Sequence, residues 1–251
     1  MRNNEYSTSL TVQDFRDRLA GVNGRIAAAA TASGRSPSEV RLIPVSKTVS
    51  EDRIRLAVEA GCTVLGENKV QEMTRKAQAM EDLDVSWLLI GHLQTNKARD
   101  AAAYAAEFHA LDSLRLAAAL DRRLQGAGRS LDVFVQVNTS GEESKFGLAP
   151  EDLPDFLEAL PSFETLRVRG LMTLAALTPD RDRVRSCFAL LRTLRDQARE
   201  NNPDLIGPGE LSMGMSGDYE LAIEQGATSV RVGQAIFGAR AVPDSHYWPP
   251  A

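Results

Sequence analysis

Cysteine is nearly absent from this chain. Cys62 and Cys187 are the only two in 251 residues, too few and too far apart for a disulfide framework or a C-x-x-C metal site, so a reduced, cytoplasmic setting is the simplest expectation. Long apolar runs are missing as well. No stretch approaches the ~18 residues of a membrane span, and residues 1–10 lack the apolar centre of a secretory signal. Positive charge is not in excess: 29 Lys and Arg stand against 34 Asp and Glu, a formal net charge of -5, which argues against a nucleic-acid footprint. Arg181, Arg183 and Arg185 alternate with acidic and apolar residues, as on a solvated helix face. Nor does a G-x-G-x-x-G turn follow the first expected strand, so the mark of a dinucleotide-binding, doubly wound sheet is missing.

What is present is ordinary for a globular protein, with 43% hydrophobic and 25% charged residues, which excludes a fibre or a disordered chain. The length fits one α/β barrel of ~250 residues or two small domains. Val12, Phe15, Leu19, Val22 and Ile26 recur at helical spacing and predict an amphipathic helix over residues 11–32. Beyond it, strand and helix patterns alternate. Strands are expected at about 40–47, 63–66, 86–90, 108–111, 132–137, 167–171, 210–215 and 228–232. Residues 67–72 read as the start of the helix after the second strand. Pro44 is awkward inside the first strand and is expected to mark a bulge.

Alternation of this kind implies a parallel sheet. Eight strands with a helix before the first predict a single (β/α)8 TIM-type barrel, the extra N-terminal helix covering the gap that a helix after strand eight would fill. An open doubly wound sheet is the runner-up. Residues 1–10 are expected to be a flexible tail and residues 11–251 a single domain.

The chemistry gathers at strand ends. If Ile43, Val45 and Lys47 share one face, the Lys47 amine projects inward at the C-terminal end of strand one, which is the active-site rim of a barrel. Apolar surroundings there would favour the free, nucleophilic amine; a lysine reaching out into solvent is the plainer alternative. Leu211-Ser212-Met213-Gly214-Met215-Ser216-Gly217-Asp218 runs from strand seven into a helix, and Val230-Arg231-Val232-Gly233-Gln234 does so after strand eight. Small residues and backbone N–H groups in the last two βα loops are where barrels hold phosphate. A phosphate seat opposite an imine-forming lysine describes pyridoxal phosphate (PLP).

These residues carry a resemblance. Val45-Ser46-Lys47, Gly66-Glu67-Asn68-Lys69-Val70-Gln71-Glu72, Ile90-Gly91-His92-Leu93-Gln94-Thr95-Asn96-Lys97, Gln136-Val137-Asn138, Ser144-Lys145, Gly170-Leu171-Met172, residues 211–216, Val230-Arg231-Val232-Gly233 and Ile236-Phe237-Gly238 resemble, in order and spacing, the pyridoxal phosphate homeostasis proteins. These are single-domain barrels similar to the N-terminal domain of alanine racemase. The resemblance implies that Lys47 carries PLP as a Schiff base. It also implies that Ser212, Gly233 and the backbone of Gln234 hold the phosphate with Met213 and Ser216 nearby, that Asn68 lies beside the ring, and that Arg231 faces the pyridine nitrogen. Trp87-Leu88-Leu89, and Phe146 between Lys145 and Gly147, depart from the family pattern and bear on loop behaviour.

Arginine is not deprotonated in proteins, so opposite the pyridine nitrogen it leaves a poor electron sink. Racemisation further needs a second base, which alanine racemase takes from a tyrosine of another domain. Here Tyr104, Tyr219, His92 and His109 are the internal candidates, each with a plainer structural role. The expectation is therefore a monomeric carrier or buffer of PLP that supplies apo-enzymes, without nucleic acid, membrane or metal. Lys69, Lys97 and Lys145 are candidate secondary acceptors. A racemase of low activity is the alternative, and a class I aldolase, whose imine forms only with added substrate, is the more distant rival.

Overall fold

The computed structural model describes residues 7–238. In chain order the elements are α1 (Val12–Ala32), β1 (Arg41–Pro44), α2 (Glu51–Glu59), β2 (Val64–Glu67), α3 (Val70–Ala79), β3 (Ser86–Leu89), α4 (Ala98–Tyr104), β4 (Glu107–Leu111), α5 (Leu114–Ala127), β5 (Leu131–Gln136), α6 (Leu153–Ala159), β6 (Leu166–Met172), α7 (Arg181–Asn201), β7 (Glu210–Met215), α8 (Tyr219–Glu224), β8 (Ser229–Val232) and α9 (Gln234–Phe237). The strands form one parallel sheet in the order β1-β8-β7-β6-β5-β4-β3-β2. Its ends meet through a Val45–Gly66 bridge, so the sheet is a nearly closed barrel ringed by helices. The expected barrel is the observed fold.

The N-terminal helix takes the place predicted for it. Thr11 caps α1 with a capping box: its hydroxyl accepts the Asp14 N–H at 3.1 Å, and the Asp14 carboxylate accepts the N–H groups of Leu10 and Thr11 at 2.9 and 3.0 Å. Those backbone donors hold the Asp14 carboxyl below the usual range. Fully buried Phe15 then meets Phe237 of α9 edge to face, centroids 5.5 Å apart, so that α1 packs between α8 and α2 over the short α9. Thr11→Ala should lower unfolding free energy by about 1 kcal/mol in a urea titration; an unchanged midpoint would show that the cap contributes nothing. Ser9, inside the stretch expected to be a tail, is fully buried, and its Oγ donates to the Ile236 carbonyl at 2.8 Å. Residues 1–6 and 239–251 lie outside the described residues.

Two local expectations are corrected. β1 pairs with β8 in unbroken register from Arg41↔Ser229 to Pro44↔Val232, so Pro44 makes no bulge. Along β1 the N–H of Val45 points to Val232 of β8, whereas that of Ser46 points to Gly66 of β2. By that alternation Pro44 stands where a rung toward β2 belongs and has no N–H to supply it. Glu67 is likewise not in a helix. It ends β2, fully buried, and the helix waits until Val70.

Candidate functional site

Ile43 and Val45 pack with Leu88 and Ile90 inside the barrel, and Lys47 takes the next inward position, half-buried at the C-terminal mouth. Its neighbours face outward. The Ser46 hydroxyl donates to Glu67 Oε1 at 2.6 Å, and the Thr48 N–H donates to Glu72 Oε1 at 2.8 Å. Thr48 has φ 63, the only non-glycine residue with positive φ among those described. A β-branched residue held there stores on the order of 1–3 kcal/mol of strain, which proteins tend to keep at functional sites.

The two glycine- and serine-rich turns meet at the same mouth. The Gly233 N–H donates to Ser216 Oγ at 3.2 Å, so one turn already offers a donor to an oxygen of the other. A Cβ on Gly233 would stand 3.2 Å from the Val45 carbonyl oxygen, so glycine lets this turn close on β1 two residues before Lys47. Gly91 does the same for Asn68, whose carbonyl oxygen would lie 2.3 Å from a Cβ there. α8 and α9 have six and four residues, too short to count on an axial dipole. What remains to hold an anion is local: backbone N–H groups and the Ser216 hydroxyl.

Beneath the turns a polar chain crosses the barrel interior. Arg41 forks onto Glu107 with two 2.6 Å bonds, Glu107 Oε2 lies 2.9 Å from His109 Nε2, and His109 Nδ1 lies 2.9 Å from Ser212 Oγ. Arg231 closes it, donating to Ser212 Oγ at 2.7 Å and to the Thr173 carbonyl at 2.8 Å. Glu107, held ionised, can only accept, so a neutral His109 carries its proton on Nε2 toward that carboxylate, and its bare Nδ1 accepts the Ser212 proton. The electrostatics agree. Burial pushes His109 down to about 4, and burial pulls Arg231 only to about 10, so one is neutral and the other charged near pH 7. Burial alone would raise Glu107, but the hydrogen bonds from Arg41 and His109 outweigh it and hold the carboxylate low.

The structure thus brings Lys47, Asn68, Ser216, Gly233 and Gln234 to half-buried positions at strand ends. Ser212, expected at the phosphate, is fully buried with its hydroxyl engaged by Arg231 and His109, and Met213 is fully buried in the main core. Of the candidate second bases, His109 is locked in the interior chain, Tyr219 is 1% exposed, and Tyr104 accepts a 2.6 Å bond from Gln78 on an outer helix. His92 stays at the rim, 3.4 Å from Asp112 and stacked on Phe146 at 3.8 Å, so the aromatic departure at 146 joins two rim loops. Lys145 is not a solvated lysine: its Nζ donates to the Ala175 carbonyl at 2.8 Å and lies 3.3 Å from Glu142. Lys69 is exposed and Lys97 half-buried.

Sequence reading missed Arg41, Glu107, Glu67, Glu72 and Lys76. A signal did exist for one pair: Glu107 and His109 alternate on β4, polar groups at positions that face a barrel interior. None existed for Lys76, an unexceptional member of a charged helix.

The family model described as "Alanine racemase, N-terminal domain" matches residues 26–241. A pyridoxal phosphate homeostasis protein of Pseudomonas aeruginosa is 42% identical over 224 residues, 89% of this chain and 95% of that protein. The chain belongs to the pyridoxal phosphate homeostasis protein family. Among solved structures, the family member PipY of Synechococcus elongatus, with PLP bound, is 36% identical and superposes with a TM-score of 0.78 over 89% of this chain and all of that one. Alanine racemase of Streptomyces lavendulae, at 16% identity and a TM-score of 0.72, shares the fold over 97% of this chain but only 62% of its own. This family member therefore matches the racemase barrel and leaves over a third of the racemase unmatched. Among the described residues no helix is long and apolar enough to cross a membrane.

Proposed function

We propose that this chain is a carrier or buffer of pyridoxal phosphate that binds the cofactor through Lys47 and does not turn over a substrate. The observation that carries the reading is the meeting, at one barrel mouth, of the β1 amine and the Ser216–Gly233 contact with charged Arg231 beneath. PipY, of the same family and fold, binds PLP. Bound PLP would supply an aldehyde with which an amine can condense with loss of water, needing neither oxidant nor reductant.

Lys47 is the linking amine. Ser216, Gly233 and Gln234 receive the phosphate with a hydroxyl and backbone N–H groups, and Asn68 flanks the ring. Arg231, which stays protonated and can only donate, would face the pyridine nitrogen and leave it without a proton. Ser212 acts through Arg231 by fixing one of its two hydrogen bonds, and Met213 packs beneath. Racemisation stays the alternative reading: His109 and Tyr219 are buried and Tyr104 lies on an outer helix, which leaves His92, beside Asp112 and stacked on Phe146, as the one candidate second base at the rim. A soluble cytoplasmic monomer delivering PLP to apo-enzymes fits the modest surface charge and the two buried thiols.

The test is to load the protein with PLP, reduce it with borohydride and map the adduct, then incubate loaded protein with L-amino acids and follow optical purity. Expected are one adduct, on Lys47, and no loss of enantiomeric excess. Steady racemisation would replace the carrier reading with the enzymatic one.

A further inference from the structure

The barrel is weakest where it closes. β1 meets β8 over four residue pairs, but it meets β2 through the Val45–Gly66 bridge and the Ser46 N–H donated to Gly66 at 3.0 Å, because Pro44 withholds a rung. Lys47 emerges from this seam.

One side chain spans it. The fully buried Lys76 ammonium donates to the Ser46 carbonyl at 2.8 Å, to Glu67 Oε1 at the end of β2 at 2.7 Å, and to Glu72 Oε1 of its own helix at 2.7 Å. Three N–H donors meet three acceptors, the full complement for an ammonium. The Ser46 carbonyl, which a continued ladder would pair with the next N–H beyond β2, takes the ammonium instead. The two carboxylates also grip both neighbours of Lys47, Glu67 through the Ser46 hydroxyl and Glu72 through the N–H of the strained Thr48. A buried lysine between two acids is an inefficient way to glue a helix to a sheet, since well-packed apolar residues do as well or better. Its cost makes sense if it fixes geometry.

We propose that Lys76 is a positioning residue, whose ammonium clasps the ends of β1 and β2 and holds the Ser46-Lys47-Thr48 turn so that the Lys47 amine projects into the mouth. This rests on Lys47 being the linking amine. The clasp acts through the backbone and touches no cofactor. Glu67 Oε2 is buried without a hydrogen-bond partner, and burial raises this carboxyl against the pull of Lys76.

The experiment compares two ligands on intact protein: PLP, which can link to the amine, and pyridoxine 5′-phosphate, which carries an alcohol in place of the aldehyde and reports the phosphate and ring seat alone. The Lys76→Met/Glu67→Gln variant removes the ion pair as a unit, which protects folding. Glu72→Leu, at a side chain 20% exposed, removes the grip on Thr48 and one of the three acceptors of Lys76 while leaving those at Ser46 and Glu67, and serves if the double variant fails to fold. Misplacing a reacting group by ~1 Å costs on the order of 10²-fold in rate. The double variant should therefore form the PLP link about 10²-fold more slowly, and Glu72→Leu about tenfold more slowly, with pyridoxine 5′-phosphate affinity unchanged in both. Adding Thr48→Gly, which reaches positive φ without strain, should restore part of the rate in Glu72→Leu. Parallel loss of both ligands, or no loss of either, would overturn the clasp. Wild-type protein that binds PLP without linking it at Lys47 would instead overturn the carrier reading, and the clasp's role with it.

Discussion

Replacing Lys47 with alanine is expected to abolish the borohydride-trappable adduct and the visible absorption band of PLP-loaded protein, and to weaken PLP binding on the order of 10²-fold, about 3 kcal/mol. The fold should survive. Lys47 is half-buried at the end of β1, beyond the interior cluster of Ile43, Val45, Leu88 and Ile90, and a substitution at such a rim position changes stability by about 0.5 kcal/mol or less. Lys47→Arg separates charge from chemistry, because it keeps a cation at the mouth but cannot condense with an aldehyde. It should behave like the alanine variant in the spectrum and lie between the two in affinity. An adduct that persists in Lys47→Ala and maps to Lys69, Lys97 or Lys145 would move the linking amine elsewhere. Lys145 is the least suited of the three, since its amine is occupied by Ala175 and Glu142.

How far the sequence could be read depended on how locally each feature is encoded. The eight strands and the extra helix were legible because period-2 and period-3.6 patterns are written within single segments, and the limits of β7 coincide with those expected. Lys47, Ser216 and Gly233 were legible as strand-end residues. The partners of the Ser212 hydroxyl were not legible, because His109 and Arg231 come from β4 and β8, 103 and 19 residues away. The Lys76 network was invisible for the same reason: Ser46, Glu67 and Lys76 become neighbours only when the barrel closes. Pro44 was seen as an anomaly, but only the pairing of β1 shows that the missing N–H falls on the seam.

Acid should loosen the barrel from within, through the chain that ends at Arg231. His109 titrates near 6.5 when unfolded but near 4 when buried between Phe134, Ser212 and Glu107. As pH falls below ~6.5 the unfolded chain takes up a proton that the folded one refuses. Stability is therefore complete above that pH and drains away as the pH falls toward 4, by about 3 kcal/mol in all. Glu107 adds a loss of the same sign: its folded carboxyl is held down to about 2, so its contribution is present above the ordinary Glu range of ~4.3 and is lost as pH falls through the folded pKa. His109→Leu isolates the first term. It leaves Glu107 Oε2 and the Ser212 hydroxyl without their histidine partner and should lower stability near neutral pH by about 2–3 kcal/mol. Its stability should then be flat from pH ~6.5 to ~5, where wild type falls. Urea unfolding of both proteins across that range is the measurement. A wild-type curve as flat as the variant's would mean that His109 takes up its proton in the folded barrel. An imidazolium at Nδ1 could no longer accept the Ser212 proton, and Ser212 Oγ would then accept from both His109 and Arg231.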